Sequence, residues 1–588
     1  MTKVDMTIEI CGMSGDGTIA AGQLLNTALI QAGLYLIAFD SYPAEIRGFG
    51  RCVTHSRVGD EEMLALNSKA HVLISLDDEQ SLSRLPFLDD EAVILFDNRP
   101  LSYVSSEKTL PAHIEPEMHP YGIPFGDLAS EAMGSRRGRN MVALGGFSGI
   151  FGLPPGYFHN AIRKKFGSKD DKTVQDNIRC FDAGIQYALD HFKGLPVNGL
   201  AAQREVAPND RLLVSGNEAV AKGALAGGLK FYYGYPITPA TPVMEFLSRA
   251  LPEVGGAMMQ MEDEMASIGG VLGSFFAGRR AMTATSGPGF ALMTELIAHA
   301  TITETPAVIV NAQRGGPGTG LPTKTEQSDL GAAVFGGPGD SARIVLAPAN
   351  VSECYYFTAR SFQIAEKYQS PVILLTDFFL HNRVESIPEP KAKAAEVADG
   401  NLYPGPTDKD PYRRYKITDS GISPRAIPGM EGYIFRATGL EHTENGIPDY
   451  TPGLHMNMSE KRHRKIQGAL QDLPEPVRFF KEEKLDIGVV AWGSTFGSAL
   501  EAVKKARKEG IPADVLKISS IYPYHANHIK EFMDICGEVL IPELNLEGQL
   551  ANLIGHLHRK CVWRLNQVTG VPMPASDILA RIRSILGS

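Results

Sequence analysis

The chain has 588 residues, and at about 150 residues per domain this length predicts three to four domains, each able to bury its own core. Lys and Arg number 57 against 67 Asp and Glu, so the formal net charge is −10, and no basic block is long enough to follow a phosphate backbone. These numbers argue against a nucleic-acid-binding protein. A hydrophobic fraction of 43% with 21% charged residues is that of a globular protein and excludes a disordered chain or a fibre.

Targeting segments and cysteine clusters are both missing from the sequence. The apolar run at residues 8–10 is too short for the core of a signal peptide, and no stretch approaches the eighteen apolar residues of a membrane span. Even the closest pair of the six cysteines, Cys536 and Cys561, is 25 residues apart, which fits no zinc framework. We therefore expect a cytoplasmic protein without a membrane segment and without a metal site of its own.

The first 190 residues alternate short apolar runs with amphipathic segments. Residues 7–11 and 34–39 are typical of strands, and residues 18–32 between them are typical of a helix. This alternation predicts a parallel sheet with crossover helices. The polar, Pro-containing stretch 196–210 predicts a linker, so residues 1–195 are expected to form the first domain.

A second alternation runs through residues 211–385 and a third through residues 484–588. The second predicts strands at 211–215, 230–234, 257–261, 280–285, 307–312, 343–347 and 372–376. With helices between them, these strands make one doubly wound α/β domain, and the third alternation makes a smaller one. Residues 386–483, rich in Pro, Gly and charge, predict an extended connecting arm. The expected fold class is α/β, with three α/β domains.

A rigid Tyr-Pro-Ile-Thr-Pro block, residues 235–239, follows the strand at 230–234. It lies at the carboxyl edge of the predicted sheet, where open α/β sheets bind ligands. We expect Pro239 in the first helical turn and Thr238 at or beside the N-cap, where a hydroxyl and free amides suit an anion. The alternative is that Thr238 only caps its own helix.

Three carboxylates, Glu262, Asp263 and Glu264, stand where the next helix begins. The positive end of the helix dipole explains two of them, since each such carboxylate stabilises a helix by roughly 0.3–1 kcal/mol. The third is followed by small residues that let another surface come close. It is therefore placed to form a hydrogen bond with a ligand nitrogen.

Two loops rich in Gly and Pro follow the strands at 280–285 and 307–312. In the first, residues 286–289, backbone can approach a ligand closely. In the second, Arg314 offers a planar fork for a carboxylate, with Thr319 close by in the same loop. The alternative for Arg314 is a structural ion pair with a Glu. The second loop is not a dinucleotide fingerprint, because no apolar helix follows its glycines.

The first domain has a glycine-rich loop between its first strand and first helix. Such a loop exposes amides to a phosphate or another polar ligand at the helix start, and two nearby arginines add positive charge. A tight strand-to-helix connection explains the glycines nearly as well. The residues concerned are Gly12, Ser14, Gly15, Gly17, Arg47 and Arg51.

In their order along the chain, these motifs resemble the alpha chain of the 2-oxoacid:ferredoxin oxidoreductases. The resemblance is carried by the Tyr-Pro-Ile-Thr-Pro block, by Glu264 with Gly269, by the Thr-Ser-Gly-Pro-Gly segment at 285–289 and by the Arg314 loop. It covers essentially the whole chain, in the form that has a gamma domain fused ahead of alpha. It implies a gamma-type domain at 1–195, a pyrimidine-binding domain at 211–385 and a transketolase-C-terminal-like domain at 484–588.

The resemblance implies thiamine diphosphate chemistry at a site shared between two polypeptides. Glu264 would hydrogen-bond the aminopyrimidine ring and favour the imino form that takes the proton from the thiazolium carbon. Ser286, Gly287 and Pro288 would line the thiamine side of the site. Coenzyme A would be bound by the glycine-rich loop of the first domain together with its two arginines.

The resemblance also implies a substrate site. Thr238, with Tyr235 beside it, would hold the 1-carboxylate of a 2-oxoacid, and Arg314 with Thr319 would take a second carboxylate. This favours 2-oxoglutarate, converted to succinyl-CoA and CO2 with electrons passed to ferredoxin, or the reverse. One alternative is the same reaction on pyruvate or a branched-chain 2-oxoacid. Another, of a different class, is a non-catalytic scaffold that binds coenzyme A or a nucleotide and regulates a partner.

The sequence lacks two parts that this reaction needs. Gly15-Asp16-Gly17 is not followed by the Asn that completes the diphosphate and magnesium motif of thiamine enzymes, and there are no cysteine clusters for iron-sulfur centres. The resemblance therefore implies a beta subunit that brings the diphosphate-binding domain, Mg2+ and a 4Fe-4S cluster. The expected assembly is an (alpha-beta)2 heterotetramer.

Overall fold

A computed structural model describes residues 4–42, 50–99, 109–195, 197, 200, 211–390 and 412–587. The chain divides into two compact units. The first comprises Met1–Val214 with Arg383–Glu389, and the second comprises Ser215–Asn382 with Pro390–Ser588.

The elements up to residue 215 alternate strands and helices, and a stretch of four helices precedes the last strand. In chain order they are β1 (Asp5–Met13), α1 (Thr18–Gln31), β2 (Tyr35–Ser41), β3 (Arg51–Gly59), β4 (Ala70–Ser75), α2 (Asp78–Leu82), β5 (Leu88–Asp97), β6 (His119–Ile123), α3 (Phe125–Met133), α4 (Arg139–Phe151), α5 (Pro155–Phe166), α6 (Asp171–His191) and β7 (Arg211–Ser215).

From residue 216 to residue 388 the alternation is regular. The elements are α7 (Gly216–Ala226), β8 (Phe231–Gly234), α8 (Thr241–Ala250), β9 (Ala257–Gln260), α9 (Glu264–Phe276), β10 (Ala281–Thr285), α10 (Gly287–Ile302), β11 (Ala307–Gln313), α11 (Leu330–Phe335), β12 (Ile344–Leu346), α12 (Val351–Tyr368), β13 (Pro371–Asp377), α13 (Phe378–Asn382) and β14 (Val384–Pro388).

The last stretch opens with a single helix and continues as a smaller α/β domain. Its elements are α14 (Pro452–Gln467), β15 (Val477–Arg478), β16 (Leu485–Trp492), α15 (Thr495–Lys508), β17 (Ala513–Ile518), β18 (Ser520–Tyr522), α16 (Ala526–Asp534), β19 (Cys536–Glu543), α17 (Gln549–Ile554), β20 (Trp563–Asn566) and α18 (Ala575–Leu586).

The first unit contains an eight-stranded sheet in the order β6-β5-β4-β1-β3-β2-β14-β7. β1, β4, β5 and β6 are parallel, but β3 is antiparallel to both β1 and β2. The prediction of a parallel sheet is therefore wrong for β3. Only residues 42–50 separate β2 from β3, which is shorter than the dozen or more residues that a parallel crossover needs.

β7 also differs from its predicted place. The sequence pattern assigns residues 211–215 to the second domain, whereas the structure places β7 at the edge of the first sheet, next to β14. The Arg211 Nη2 atom donates to the Ser386 carbonyl at 2.6 Å, which holds β7 against β14. The partner strand lies some 170 residues further along the chain, so local periodicity could not reveal the pairing.

The second unit contains a seven-stranded sheet in the order β18-β12-β13-β11-β10-β8-β9. Six of its strands, β8 to β13, are the predicted ones and run parallel. Among them, β10, β11 and β13 are buried along their whole length. The seventh strand, β18, is antiparallel to β12 and comes from the last stretch of the chain. Burial of successive residues along β10, β11 and β13 means that both faces of the sheet are covered, as expected for a doubly wound sheet.

The third sheet has the order β15-β17-β16-β19-β20 and is parallel apart from β15. The α/β fold class with three α/β domains is thus confirmed. The described part of the predicted connecting arm contains the sixteen-residue helix α14. Within the described residues no helix is long and apolar enough to cross a membrane, and no group of three or more His, Cys, Asp or Glu side chains could hold a metal ion.

Candidate active site

The carboxyl ends of four neighbouring strands bring the predicted site loops to one edge of the seven-stranded sheet. β8 lies between β9 and β10, and β10 pairs with β11, all in parallel. The segments that follow these strands begin at residues 235, 261, 286 and 314. Because the strands share one direction, these segments emerge at the same edge, which is where open α/β sheets bind ligands.

The three carboxylates at the start of α9 have three different environments. Asp263 is the N-cap, and its carboxylate accepts the Ala266 backbone N–H at 2.7 Å. Glu262 is exposed to solvent. Glu264, the first residue of the helix, is only 6% exposed. The capping role predicted for part of this group therefore belongs to Asp263, and Glu264 is the carboxylate that turns inward.

Gly289, in the first turn of α10, makes room for Glu264. A methyl group at this position would overlap both the Glu264 carboxylate and the Thr285 hydroxyl, so only glycine lets the two helix starts come this close. The sequence pattern includes Gly289 in a motif but does not single it out. The structure shows that it sets the position of the Glu264 side chain.

Ser286 supplies a second polar group at this point. It is the N-cap residue of α10, it is fully buried, and its side chain caps no helical amide. Its Oγ atom has no hydrogen-bond partner among the described residues. A buried carboxylate, a free hydroxyl and the first amides of a sixteen-residue helix thus lie together, and a heterocycle carrying ring nitrogens and an amino group fits such a set of donors and acceptors.

The structure brings Thr238 and Arg314 together. The Arg314 Nη1 atom donates to the Thr238 carbonyl at 2.9 Å. The expectation that Thr238 lies at or beside the N-cap and Pro239 in the first helical turn is wrong, since α8 begins at Thr241 with Ala240 as its N-cap. The reason is a tight turn: the Ile237 carbonyl accepts the amides of both Ala240 and Thr241, at 2.9 and 3.0 Å. Thr238 is left exposed beside Tyr235, which is 43% exposed.

Arg314 is an almost buried cation, 8% exposed. Its Nε atom has no hydrogen-bond partner in the described part of the chain, and no carboxylate of that part lies within ion-pair distance. Burial lowers the pKa of the guanidinium, and the charge of Asp329 acts in the opposite direction. The alternative of a structural Glu partner is therefore not supported, and Arg314 keeps donors free for a carboxylate.

Asp329 is a neighbour that the sequence pattern does not reveal. Its backbone N–H donates to the Gln313 Oε1 atom at 2.9 Å, and its Oδ2 atom accepts the Asn311 amide at 3.2 Å. A methyl group on Gly287 would come within 2.8 Å of the same Oδ2 atom, so the carboxyl group lies under the start of α10. Burial raises the pKa of Asp329 to about 6, against the lowering effects of Asn311 and Arg314.

Thr319 lies at the tip of the loop after Arg314 and is exposed. The loop folds back on itself, because the Leu321 N–H donates to the Gly315 carbonyl at 2.8 Å and the Gly315 N–H donates to the Lys324 carbonyl at 2.9 Å. No hydrogen bond joins Thr319 to Arg314 among the described residues. A role for Thr319 in substrate binding stays a prediction.

The glycine-rich loop of the first unit is well ordered by internal contacts. Asp16 accepts the Met13 N–H at 2.9 Å and forms an ion pair with Arg139 of α4. Gly15 and Gly17 both have positive φ values, 103° and 80°, and Gly17 is the N-cap of α1. The loop therefore presents its backbone at the start of a fourteen-residue helix, as expected from the sequence.

Arg51 lies beside this loop. It stands opposite Met13 in the β1–β3 pair, and the Ser14 N–H donates to the Gly50 carbonyl at 2.9 Å. The Arg51 Nη1 atom also donates to the Ser83 hydroxyl. Gly12, Ser14, Gly15 and Gly17 thus share one corner with Arg51, whereas Arg47 lies outside the described residues.

Family models match most of the chain. Residues 7–187 match "Pyruvate ferredoxin/flavodoxin oxidoreductase", residues 222–461 match "Pyruvate flavodoxin/ferredoxin oxidoreductase, thiamine diP-bdg", and residues 486–578 match "Pyruvate:ferredoxin oxidoreductase core domain II". These three regions follow the order gamma-type, thiamine-binding and C-terminal that the sequence predicts.

Full-length relatives agree with the family models. The 2-oxoglutarate oxidoreductase subunit KorA of Mycobacterium tuberculosis is 31% identical over 99% of this chain and 92% of its own. Subunit alpha of 2-oxoacid:ferredoxin oxidoreductase 2 from Aeropyrum pernix is 28% identical over 99% of this chain and 98% of its own. Among solved structures, the 2-oxoglutarate:ferredoxin oxidoreductase of Magnetococcus marinus, with 2-oxoglutarate, coenzyme A and succinyl-CoA bound, is similar with a TM-score of 0.93 and 34% identity, over 99% of this chain and 100% of that one. The chain therefore belongs to the 2-oxoacid:ferredoxin oxidoreductase family, as an alpha subunit in which a gamma-type domain precedes the thiamine diphosphate-binding domain.

Proposed function

We propose that this chain is the alpha subunit of a 2-oxoglutarate:ferredoxin oxidoreductase. With a beta subunit it would convert 2-oxoglutarate and coenzyme A to succinyl-CoA and CO2 and pass two electrons to ferredoxin, or run the reverse reaction. The observation that carries the proposal is Arg314, which is almost buried and has no ion-pair partner among the described residues. Arg314 donates a hydrogen bond to the Thr238 carbonyl, at the same sheet edge from which Glu264 turns inward. Relatives that are named for 2-oxoglutarate support the substrate.

Glu264 is proposed to hold the aminopyrimidine ring of thiamine diphosphate, with residues 286–288 along the same side. Thiamine diphosphate, when bound, supplies the thiazolium ring that accepts the electron pair as CO2 leaves. The task of Glu264 is to share a proton with a ring nitrogen. A carboxylate that is 6% exposed performs this task well, because burial removes the competing water.

Thr238 and Arg314 are proposed to orient the substrate. Thr238, exposed at the edge with Tyr235 beside it, faces the incoming 1-carboxylate, and Arg314 takes the second carboxylate through its free donors. A monocarboxylate such as pyruvate would leave this buried cation unpaired, at a cost of roughly 3 kcal/mol or more. The residues thus favour a dicarboxylic 2-oxoacid over pyruvate and branched-chain 2-oxoacids.

The glycine-rich corner of the first unit is proposed to contact coenzyme A. Phosphate oxygens suit the amides at the start of α1 and the Arg51 guanidinium, and the similar solved structure contains coenzyme A. The remaining parts would come from a beta subunit that carries Mg2+ and a 4Fe-4S cluster, in an (alpha-beta)2 assembly.

The variant Glu264→Gln tests the cofactor role. Measured with the beta subunit, we expect 2-oxoglutarate-dependent electron transfer to fall by roughly 100-fold, since proton transfer by a positioned carboxylate contributes about that much. Glu262→Gln is the matched control, because Glu262 is exposed two residues earlier and its loss should leave turnover unchanged. Near-wild-type turnover of Glu264→Gln would show that the assigned role is wrong. If the wild-type complex also binds no thiamine diphosphate, the scaffold alternative gains support.

The variant Arg314→Ala tests the substrate. We expect the ratio of kcat/KM for 2-oxoglutarate to that for pyruvate to fall by roughly 100-fold, which corresponds to the cost of an unpaired buried charge. Arg279→Ala, an exposed arginine that precedes β10, is the control. An unchanged ratio would contradict 2-oxoglutarate as the preferred substrate and favour the monocarboxylate alternative.

A further inference from the structure

The domain built on the third sheet contacts the end of the loop that begins at Arg314. Gln549, the first residue of α17, forms two hydrogen bonds there. Its Nε2 atom donates to the Ser328 carbonyl at 2.8 Å, and its Oε1 atom accepts the Gly331 N–H at 2.9 Å. Ser328 and Gly331 lie on either side of Asp329, so one side chain from the C-terminal domain brackets this acid.

The bracket replaces the usual cap of α11. Asp329 is the N-cap residue of this helix, a position at which Asp normally accepts an amide of the first turn with its own carboxylate. The amide of Gly331, the second helical residue, is instead accepted by Gln549. Asp329 has φ −102° and ψ 7°, which is not the extended backbone of a side-chain cap, and its carboxylate caps no amide of α11. Gln549 thus releases that carboxylate from capping.

The released carboxyl group is used at the active-site edge of the seven-stranded sheet. Its Oδ2 atom accepts the Asn311 amide, and the Asp329 backbone N–H donates to Gln313, the residue before Arg314. Burial is the largest influence on the pKa of Asp329 and of Arg314, and each group also shifts the pKa of the other towards its ionised form. An ionised Asp329 therefore weakens the attraction of Arg314 for a second carboxylate. Glu326, the other acid that acts on Asp329, accepts the Gly316 N–H at 3.2 Å.

Gln549 is itself held in place by a buried polar network. The Asn545 Oδ1 atom accepts the N–H groups of Gly548 and Gln549, at 2.7 and 3.1 Å. The Asn545 Nδ2 atom donates to the Gln327 carbonyl at 3.0 Å, and the Gln327 N–H donates to the Leu544 carbonyl at 2.7 Å. Gln327, Leu544 and Asn545 are each at most 1% exposed. A buried network with its partners satisfied fixes the Gln549 side chain against the Arg314 loop.

We propose that Gln549 is a positioning residue for the substrate site, because it caps α11 in place of Asp329 and so keeps the Asp329 carboxyl group on Asn311, at the strand end that carries Arg314. The inference rests on the proposed function. Without Gln549, the free Gly331 N–H draws the Asp329 carboxylate into the ordinary N-cap position, away from Asn311. Arg314 then attracts the second carboxylate of 2-oxoglutarate more strongly. The C-terminal domain thereby sets the affinity for the substrate.

The variant Gln549→Met tests this role, because Met has a similar length but replaces neither hydrogen bond. Measured with the beta subunit at pH 7, the KM for 2-oxoglutarate should fall by roughly 2-fold or more, the scale of coupling within one hydrogen-bond network, while kcat stays nearly unchanged. The direction is diagnostic, since general damage to the fold would raise KM or lower kcat. A KM equal to or above that of wild type would overturn the proposal.

A double variant and a control separate this role from other effects. In the Asp329→Asn background, Gln549→Met should not change KM further, because both changes remove the same charge from Arg314. An equal fall of KM in both backgrounds would overturn the proposal. Asn552→Met is the control and should keep the wild-type KM, since Asn552 is exposed on the same helix and bonds to Glu547 and Arg564 of its own domain.

A crystal structure of the wild-type complex with 2-oxoglutarate tests the geometry without any variant. It should show both Gln549 hydrogen bonds and the Asp329 carboxyl group on Asn311, and an Asp329 carboxylate bonded to the Gly331 N–H would overturn the proposal. A wild-type complex that does not turn over 2-oxoglutarate would overturn the proposed function and this inference with it. Turnover that responds to Arg314→Ala, with an unchanged KM in Gln549→Met, would overturn this inference alone.

Discussion

Gly289 lies where the first turn of α10 meets the side chain of Glu264. We expect Gly289→Ala to displace the Glu264 carboxylate, because a flexible side chain yields more easily than the helix backbone. The affinity for thiamine diphosphate, measured by calorimetry on the complex, should fall by roughly 10-fold or more, the scale of one displaced charged hydrogen bond.

Gly273→Ala is the control for this variant. Gly273 also lies in a helix, α9, but no atom is within 4 Å of the position of its added methyl group. This change should leave the affinity for thiamine diphosphate unaltered and slightly stabilise the helix. Equal affinities for wild type and Gly289→Ala would show that Glu264 does not contact the cofactor.

The raised pKa of Asp329 predicts that substrate binding depends on pH. Its pKa is raised to about 6 from an ordinary 3.8, so it gains negative charge as the pH rises from 5 to 7. That charge offsets Arg314, and the KM for 2-oxoglutarate should therefore rise over this range. Asp329→Asn, which stays neutral, should have a lower KM at pH 7 and no such rise. The pH profile of KM for wild type and variant is the measurement.

The exposed Asp486 of β16 provides a control with the same change in net charge. Asp486→Asn should keep the wild-type profile. In the Arg314→Ala background, Asp329→Asn should have no further effect on KM, because the two residues would act through one interaction. A pH rise that persists in Asp329→Asn would assign the dependence to another group.

Single residues were predictable where they follow strands of a parallel sheet. Glu264, Thr238 and Arg314 are recognised in this way, since the strand ends meet at one edge. The hydrogen bond from Arg314 to the Thr238 carbonyl could not be predicted, and neither could Asp329, because the long loop from 314 to 329 has no periodic pattern. N-cap preferences alone suggest that α8 begins near Thr238, but because of the turn at Ile237 the helix begins at Thr241.

At the scale of elements, α14 is attached to the end of α10 through charge. The buried Glu304 carboxylate accepts hydrogen bonds from the buried Lys461 and Lys465 ammonium groups. We expect Glu304→Gln to destabilise the chain by about 3–5 kcal/mol, because it leaves these two lysines buried without their carboxylate. Glu460→Gln, an exposed glutamate on the same helix, should cost little. The free energy of unfolding, measured by urea titration, distinguishes the two.

The Glu304 carboxylate also predicts the direction in which the stability of the chain changes with pH. Since the folded-state pKa of Glu304 lies well below the ordinary 4.5, its contribution is present above pH 4.5 and is lost as the pH falls. Glu304→Gln should therefore lose less stability than wild type between pH 4.5 and pH 3. Identical slopes for the two proteins would contradict this role of Glu304.

The elements of the seven-stranded sheet were largely predictable and the edges of the sheets were not. β10, β11 and β13 are buried on both faces and therefore appear as continuous apolar runs. β7, β14 and β18 are short, three to five residues each, and pair with strands distant in sequence. No local pattern specifies such partners.

At the scale of the whole molecule, the sequence identifies the family because its motifs occur in the right order over nearly the full length.

The sequence also predicts that the activity of the chain depends on a partner subunit. We expect the purified chain alone to hold no iron and to show no 2-oxoglutarate-dependent electron transfer, since its cysteines are dispersed. Titration with the beta subunit should restore turnover and reach a plateau at equal amounts. Turnover by the chain alone would contradict the proposal that a beta subunit supplies the diphosphate-binding domain and the iron-sulfur cluster.

The position of β14 limits how the gene can be divided. β14 lies between β2 and β7 in the first sheet, yet it is encoded after the six parallel strands of the seven-stranded sheet. A fission of the gene within codons 196–210 would leave a first polypeptide whose β2 backbone is an open, aggregation-prone edge. Two separate products could restore the sheet only by strand addition from one chain to the other, and fusion into one polypeptide makes that pairing intramolecular.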